Sequence, residues 1–387
     1  MEGPPTVEAV VTAVSSLYHD PDPKVKEAAS KWLNQLQKSV YAWTISDQLL
    51  QRQLDVETCY FAAQTMRSKI QYSFSELPAS SHTSLRSSLM THLTSLTPST
   101  SQVIVTQLCL AMADLILLMP EWNTALSELM SALSNNHTLP LLEVLLLLPE
   151  EVDSRHLRLG ANRRQQVKEM LTASSTHITQ FLASVLASGQ DQIKIVTVKC
   201  YSSWMTLGAI SLDTVLASPV MGCAVAALSS PHSPPALHEA ASDCMIALLG
   251  RIEREDCGDL EQSTVTTVQQ LSTSYQNAVA EEDMEKCLNY CRVFTELGES
   301  FLIKIVSSPP GQPHFSLPIL DTVLLCCQHP DYEMPDVTFN LWYRWVTYLR
   351  RSLTQWCLTC PTPDYLRSST LVMMTHWSVC SSPRWRG

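Results

Sequence analysis

Glycine is scarce, at 10 of 387 residues, against an average near ~7 %. So few glycines supply few of the positive-φ positions that tight hairpins need, which argues against a sheet-rich fold. Charge is also low, with 16 % of residues ionisable as Asp, Glu, Lys or Arg. The basic residues are the minority, 26 against 37 acidic, for a net charge of −11. Direct nucleic-acid binding through a basic surface is therefore not expected, whereas basic protein partners suit an acidic scaffold. The start, Met1-Glu2-Gly3-Pro4-Pro5, lacks the basic and apolar regions of a secretory signal. The longest apolar stretch, 139–148, is too short for a bilayer and carries Glu143, so no membrane insertion is expected. A soluble, intracellular chain is the expectation. Catalytic signatures are missing too: no glycine-rich phosphate loop, no Gly-x-Ser-x-Gly elbow and no two-histidine helical metal motif. Neither enzymatic activity nor a cofactor is expected, and His238-Glu239 reads as a helix-surface pair.

What the chain has is apolar material, 45 % of residues, arranged with helical period. Val25, Ala28, Ala29, Trp32, Leu33 and Leu36 form one stripe. Cys59, Ala62, Ala63, Met66 and Ile70 form another, as do Val105, Leu108, Cys109, Met112 and Ile116. Cys287, Tyr290, Cys291, Phe294, Phe301 and Ile305 repeat the pattern. Of 13 cysteines, Cys59, Cys109, Cys244, Cys287 and Cys291 take core positions and are expected to be buried free thiols. Prolines punctuate the stripes, at Pro21, Pro23, Pro78, Pro98, Pro120, Pro149, Pro234, Pro235, Pro309, Pro310 and Pro330. Taken in pairs, the segments give helix hairpins whose second helices start near Asp22, Val56, Ser101, Leu139, Gln190, Pro235, Met284 and Pro335. The step is about 45 residues, within the range of HEAT and armadillo repeats. One hairpin cannot bury its own apolar face, so hairpins must stack. The expected fold is all-α, a right-handed HEAT-repeat solenoid of about eight hairpins.

Several collinear strings carry a family resemblance. They are Leu17-Tyr18-His19-Asp20-Pro21-Asp22-Pro23, Cys59-Tyr60-Phe61-Ala62-Ala63-Gln64-Thr65-Met66 and Leu148-Pro149-Glu150-Glu151-Val152. Arg158-Leu159-Gly160-Ala161-Asn162-Arg163-Arg164, Leu237-His238-Glu239-Ala240-Ala241-Ser242-Asp243-Cys244 and Asn289-Tyr290-Cys291-Arg292-Val293-Phe294-Thr295-Glu296-Leu297 follow. Over residues 6 to about 350 the chain resembles the importin-β (karyopherin-β) family of nuclear import receptors, less so over 165–235. The resemblance implies a receptor that shuttles between cytoplasm and nucleus and associates with the nuclear pore. It implies contacts with the phenylalanine-glycine repeats of nucleoporins, and cargo release on binding Ran-GTP. It further implies arginine-serine-rich protein cargo, such as splicing factors, whose main binding helix lies in the C-terminal half of the longer family chains. The competing reading is a helical-repeat adaptor without nucleotide-dependent release. Residues 1–351 are expected to form the solenoid, and 352–387 a divergent, poorly ordered tail.

Family members bind Ran on the inner surface of their N-terminal repeats. On the faces opposite the apolar stripes lie Glu27, Lys31, Asn34 and Lys38, then Glu57, Phe61, Gln64 and Ser68, then Gln107, Leu110 and Asp114. The candidate Ran contacts are Glu27, Lys31, Phe61, Gln64, Ser68, Gln107 and Asp114. Phe61 and Leu110, apolar on a face expected to be wet, mark either a contact surface or side chains tucked against a neighbouring helix. A basic loop, Arg158, Arg163 and Arg164 with Arg155, either meets acidic partner loops or pairs with Glu150, Glu151 and Asp153. In the tail, Cys357, Cys360, His376 and Cys380 have zinc-like spacing, but no helical frame is expected there to hold a metal.

Overall fold

The computed structural model describes residues 5–255, 257–309 and 311–359, with 351–359 as backbone only. Among them are sixteen α-helices and no strand. In chain order these are α1 (Val7–His19), α2 (Pro23–Lys38), α3 (Tyr41–Arg52), α4 (Val56–Ser73), α5 (Ala79–Thr94) and α6 (Gln102–Leu118). Next come α7 (Ala125–Leu133), α8 (Thr138–Val152), α9 (Ala161–Leu186), α10 (Asp191–Leu207) and α11 (Pro219–Ser229). The last five are α12 (Pro235–Ile252), α13 (Asp259–Ala280), α14 (Met284–Val306), α15 (Ile319–Cys327) and α16 (Glu333–Thr359). Even-numbered helices are the second helices of the expected hairpins, and each begins within two residues of its expected start. α16 runs unbroken across the 351/352 position.

Local chemistry sets these boundaries. Thr6, Asp22, Asp55 and Asp283 each turn a side-chain oxygen onto a free N–H of the helix that follows. Pro23 and Pro235 sit in the first turn, where the missing N–H costs nothing. Gly208 ends α10 at φ 87°, a left-handed conformation that a β-carbon disfavours.

The helices form two compact units that divide between residues 227 and 228. In the N-terminal unit, α1/α2, α3/α4, α5/α6, α7/α8 and α9/α10 are antiparallel hairpins. Their second helices stack in sequence order, α4 on α6, α6 on α8 and α8 on α10. In the C-terminal unit α12, α14 and α16 stack likewise, with α13 and α15 against α14. A second helix in mid-stack meets its own partner helix and a neighbour on either side. Every residue of 108–117 in α6 is therefore buried. Burial of each large side chain there stabilises by about 1.5–3 kcal/mol. The C-terminal core centres on Tyr275, Tyr290 and Phe294, whose rings pack edge-on and offset. Cys59, Cys109, Cys244, Cys287 and Cys291 are buried and in no disulfide, as expected.

Two expectations are corrected. Val25 and Ala28 are exposed and Trp32 is half-buried, leaving Ala29, Leu33 and Leu36 as the buried stripe of α2. α2 packs on α1, α3 and α4 but is not held between two second helices, so its covered face is narrow. Leu148-Pro149 is not a break: α8 runs through Pro149, which is buried. Proline lacks the N–H that would bond the carbonyl four residues back, that of Leu145. The indole Nε1 of Trp204, on α10, donates to that carbonyl at 2.8 Å. Ser203 Oγ donates to the adjacent Leu146 carbonyl at 2.8 Å. The neighbouring hairpin thus supplies the donor that the proline removes.

Candidate functional site

The second helices α2, α4 and α6 bring most of the sequence-selected residues to one layer of the N-terminal unit. Glu27 and Lys31 are exposed on α2 and pair with each other at 2.6 Å. Gln37 Nε2 donates to Thr65 Oγ1 at 3.0 Å and fixes α2 on α4. Gln64 is exposed on α4, Ser68 is half-buried there, and Gln107 is half-buried on α6. These five make up a polar, weakly charged set, each at least partly exposed.

Phe61, Leu110 and Asp114 do not belong to it. Phe61 and Leu110 are each 8 % exposed, and Asp114 is fully buried. Opposite the stripe does not mean wet on a helix with neighbours on both sides. Phe61 and Leu110 take the tucked alternative. Asp114 is instead part of an ion cluster beneath the surface. Arg67 of α4 reaches Asp114 of α6 (Nε–Oδ2 3.4 Å) and Glu151 of α8 (Nη2–Oε1 3.2 Å). Burial pushes the Asp114 carboxyl up to about 7, helped by the charge of Glu151 and opposed by Arg67. Arg67 and Glu151 were not among the sequence-selected site residues. An Arg alone on a helix gives no period-based signal of a partner two hairpins away.

The basic loop is only partly available to a partner. Arg158 is exposed ahead of α9. Arg163 turns inward: its Nε donates to Leu117 O at 2.9 Å, and its Nη2 to Ile116 O and Met119 O at 3.1 and 3.2 Å. It closes the C-terminus of α6, where unpaired carbonyls attract a cation. Arg164 is half-buried, and its Nε has no hydrogen-bond partner among the described residues. Two of the three acids expected to pair with the loop are engaged elsewhere, Asp153 with Lys168 at 3.1 Å and Glu151 with Arg67. His238 is also corrected: it is fully buried, with Nδ1 3.2 Å from the Asn289 side-chain amide. Burial and the nearby Lys286 charge pull its pKa down to about 4, so it is neutral. The tail set Cys357, Cys360, His376 and Cys380 lies outside the described side chains.

A groove opens on the other layer, between the first helices α7 and α9. It encloses about 560 Å³, within the range of ligand-sized clefts. Leu126 and Met130 line one side and Met170, Ile178 and Phe181 the other, with His177 at the rim. Methionines give such a groove an adaptable apolar wall. The periodicity of Met170, Ser174, Ile178 and Phe181 is readable, but it falls in the region of weakest resemblance.

One constellation has the residue types of a nucleophilic relay. Asp47 of α3 and Ser88 and His92 of α5 meet, with His92 Nε2 2.8 Å from Asp47 Oδ1 and 3.3 Å from Ser88 Oγ. Both contacts use the same ring nitrogen, and Ser88 bonds Asp47 directly. The ring therefore does not bridge serine to carboxylate as proton transfer requires. The cluster ties α5 to α3.

Three family models match successive parts of the chain. They are described as importin-beta N-terminal domain (residues 29–95), exportin 1-like protein (101–245) and transportin-3/importin-13 second TPR domain (282–376). Transportin MOS14 of Arabidopsis thaliana is 29 % identical over 347 residues, 87 % of this chain and 35 % of that protein. Importin-13 of Homo sapiens is 28 % identical over 355 residues, 87 % of this chain and 36 % of that protein. This chain thus spans little more than a third of the length of these relatives. The crystal structure of Kap121p bound to RanGTP shares the fold. Its TM-score is 0.50 at 13 % identity, over 86 % of this chain and 40 % of that one. No helix among the described residues is long and apolar enough to cross a membrane.

Proposed function

This chain belongs to the importin-β family, and on that premise we propose that it acts as a nuclear transport receptor, or the N-terminal part of one. It binds Ran-GTP through the second-helix layer of its first three hairpins. The observation that carries this reading is the order of the family matches along the chain, beginning with the importin-beta N-terminal domain. Kap121p, which shares the fold, was solved with RanGTP. The polar set of exposed Glu27, Lys31 and Gln64 with half-buried Ser68 and Gln107 suits a broad contact with a folded protein, in which a few residues dominate. The α7/α9 groove suits single aromatic side chains on a flexible chain, and we assign phenylalanine-glycine repeats of nucleoporins to it. Arginine-serine-rich cargo is a partner of the complete receptor. Its main grip belongs to a part of the family chains that this sequence does not include. Cycling between cytoplasm and nucleus follows from this role.

Lys31→Glu should weaken binding to GTP-loaded Ran about tenfold, or ~1.4 kcal/mol, with the melting temperature unchanged. Phe181→Ser should reduce retention on phenylalanine-glycine-repeat beads and leave Ran binding intact. Unaltered Ran affinity in Lys31→Glu and in Gln64→Arg would remove the second-helix layer from the Ran surface.

A further inference from the structure

Adjacent packed helices lie about 8–10 Å apart, so α4 and α8, on either side of α6, are separated by roughly twice that. One guanidinium nevertheless joins all three. Arg67 spans from α4 across Asp114 of α6 to Glu151 of α8. Any change in the spacing of these hairpins must stretch or break that bridge.

The bridge is short of donors. It holds two carboxylates and one cation. Asp114 Oδ1 and Glu151 Oε2 are both buried without a hydrogen bond. Gln71, one turn on from Arg67, stands close enough to Asp114 for its side chain to favour the charged carboxylate, but its buried amide nitrogen completes no hydrogen bond. From α5, also packed on α6, no titratable group is turned to Asp114: His92 faces Asp47, His82 faces Glu121 and Arg86 faces Glu128. With both acids charged, the cluster carries a surplus negative charge where Asp114 has no access to water.

The C-terminal unit contains a bridge of the same design without that shortage. Arg344 of α16 meets Glu299 of α14 at 2.5 Å and Glu253, at the end of α12, at 3.4 Å. Asn340 donates to the other Glu299 oxygen at 2.8 Å, and the Glu253 side chain is 38 % exposed. That bridge has no fully buried acid.

We propose that Arg67, Asp114 and Glu151 form a proton-controlled latch on the spacing of α4, α6 and α8, closed while Asp114 is protonated and loosened once both carboxylates are charged. In the closed state Arg67 neutralises Glu151, and the Asp114 hydroxyl supplies a donor where acceptors are in excess. In the loosened state the two carboxylates compete for one guanidinium. Separation of α8 from α6, with entry of water, relieves the repulsion. The sign follows from linkage. Asp114 holds its proton more tightly folded than unfolded, so its stabilising contribution is complete below about 4 and lost as pH rises through about 7.

Hydrogen exchange of the intact chain at pH 6 and pH 8.5, corrected for intrinsic rates, tests this on peptides covering the last turns of α6 and α8. Wild-type protection should fall about tenfold at the higher pH. Asp114→Asn, which cannot acquire the charge, should keep its pH 6 protection, and Glu151→Gln, which removes the surplus charge but not the burial of Asp114, should lose clearly less than the wild type. Should Asp114→Asn fail to fold, Glu151→Gln decides alone. Wild-type protection that does not change with pH, or an equal fall in the folded variants, overturns the latch.

Discussion

Pro149 and Trp204 show how a residue that breaks a rule is accommodated by another far away in sequence. Pro149 leaves the Leu145 carbonyl without its helical donor, and the buried Trp204 indole occupies it. Trp204→Phe should therefore cost about 1–3 kcal/mol, since it strands a buried carbonyl as well as thinning the core. In a Pro149→Ala background the backbone N–H returns, and the same substitution should cost less. A double-mutant cycle by urea unfolding should find a coupling of at least ~0.5 kcal/mol of that sign. Additive effects would mean that the indole bond does not replace the helical one. The proline was legible in the sequence as a helix break, and wrongly so. Its compensation comes from a tryptophan one hairpin later, which periodicity cannot connect to it.

At the scale of elements, the second helices were legible because their signals are local: aspartates before first turns, prolines at N-termini, apolar residues at helical spacing. Their faces were less so. A stripe with an opposite wet side assumes one buried face, and that serves α2, where Lys31 and Glu27 are exposed. In mid-stack it fails, as Phe61, Leu110 and Asp114 show. Close stacking has a second signature at Gly298 of α14. A β-carbon there would lie 2.8 Å from Leu341 Cδ2 on α16, and Leu341 is fully buried. Gly298→Ala gains up to about 1 kcal/mol of helix propensity but must displace that leucine. The net effect should be a loss of about 1–2 kcal/mol in denaturant unfolding, with the exchange protection of α16 falling first. A neutral or stabilising result would show that α14 and α16 have room to part.

For the molecule as a whole, two units each carry their own core, and the family matches run through both. The chain covers little more than a third of its relatives' length. In the proposed role the Ran surface lies within that third and the main cargo grip outside it. An adaptor that assembles proteins through the same helical layers would bind partners without regard to nucleotide. Titration of the wild-type chain with Ran loaded with GTP or with GDP separates the two most directly. Affinity for the GTP form should be at least about tenfold tighter, a difference of ~1.4 kcal/mol. Equal affinity for the two forms, or no binding to either, would contradict it.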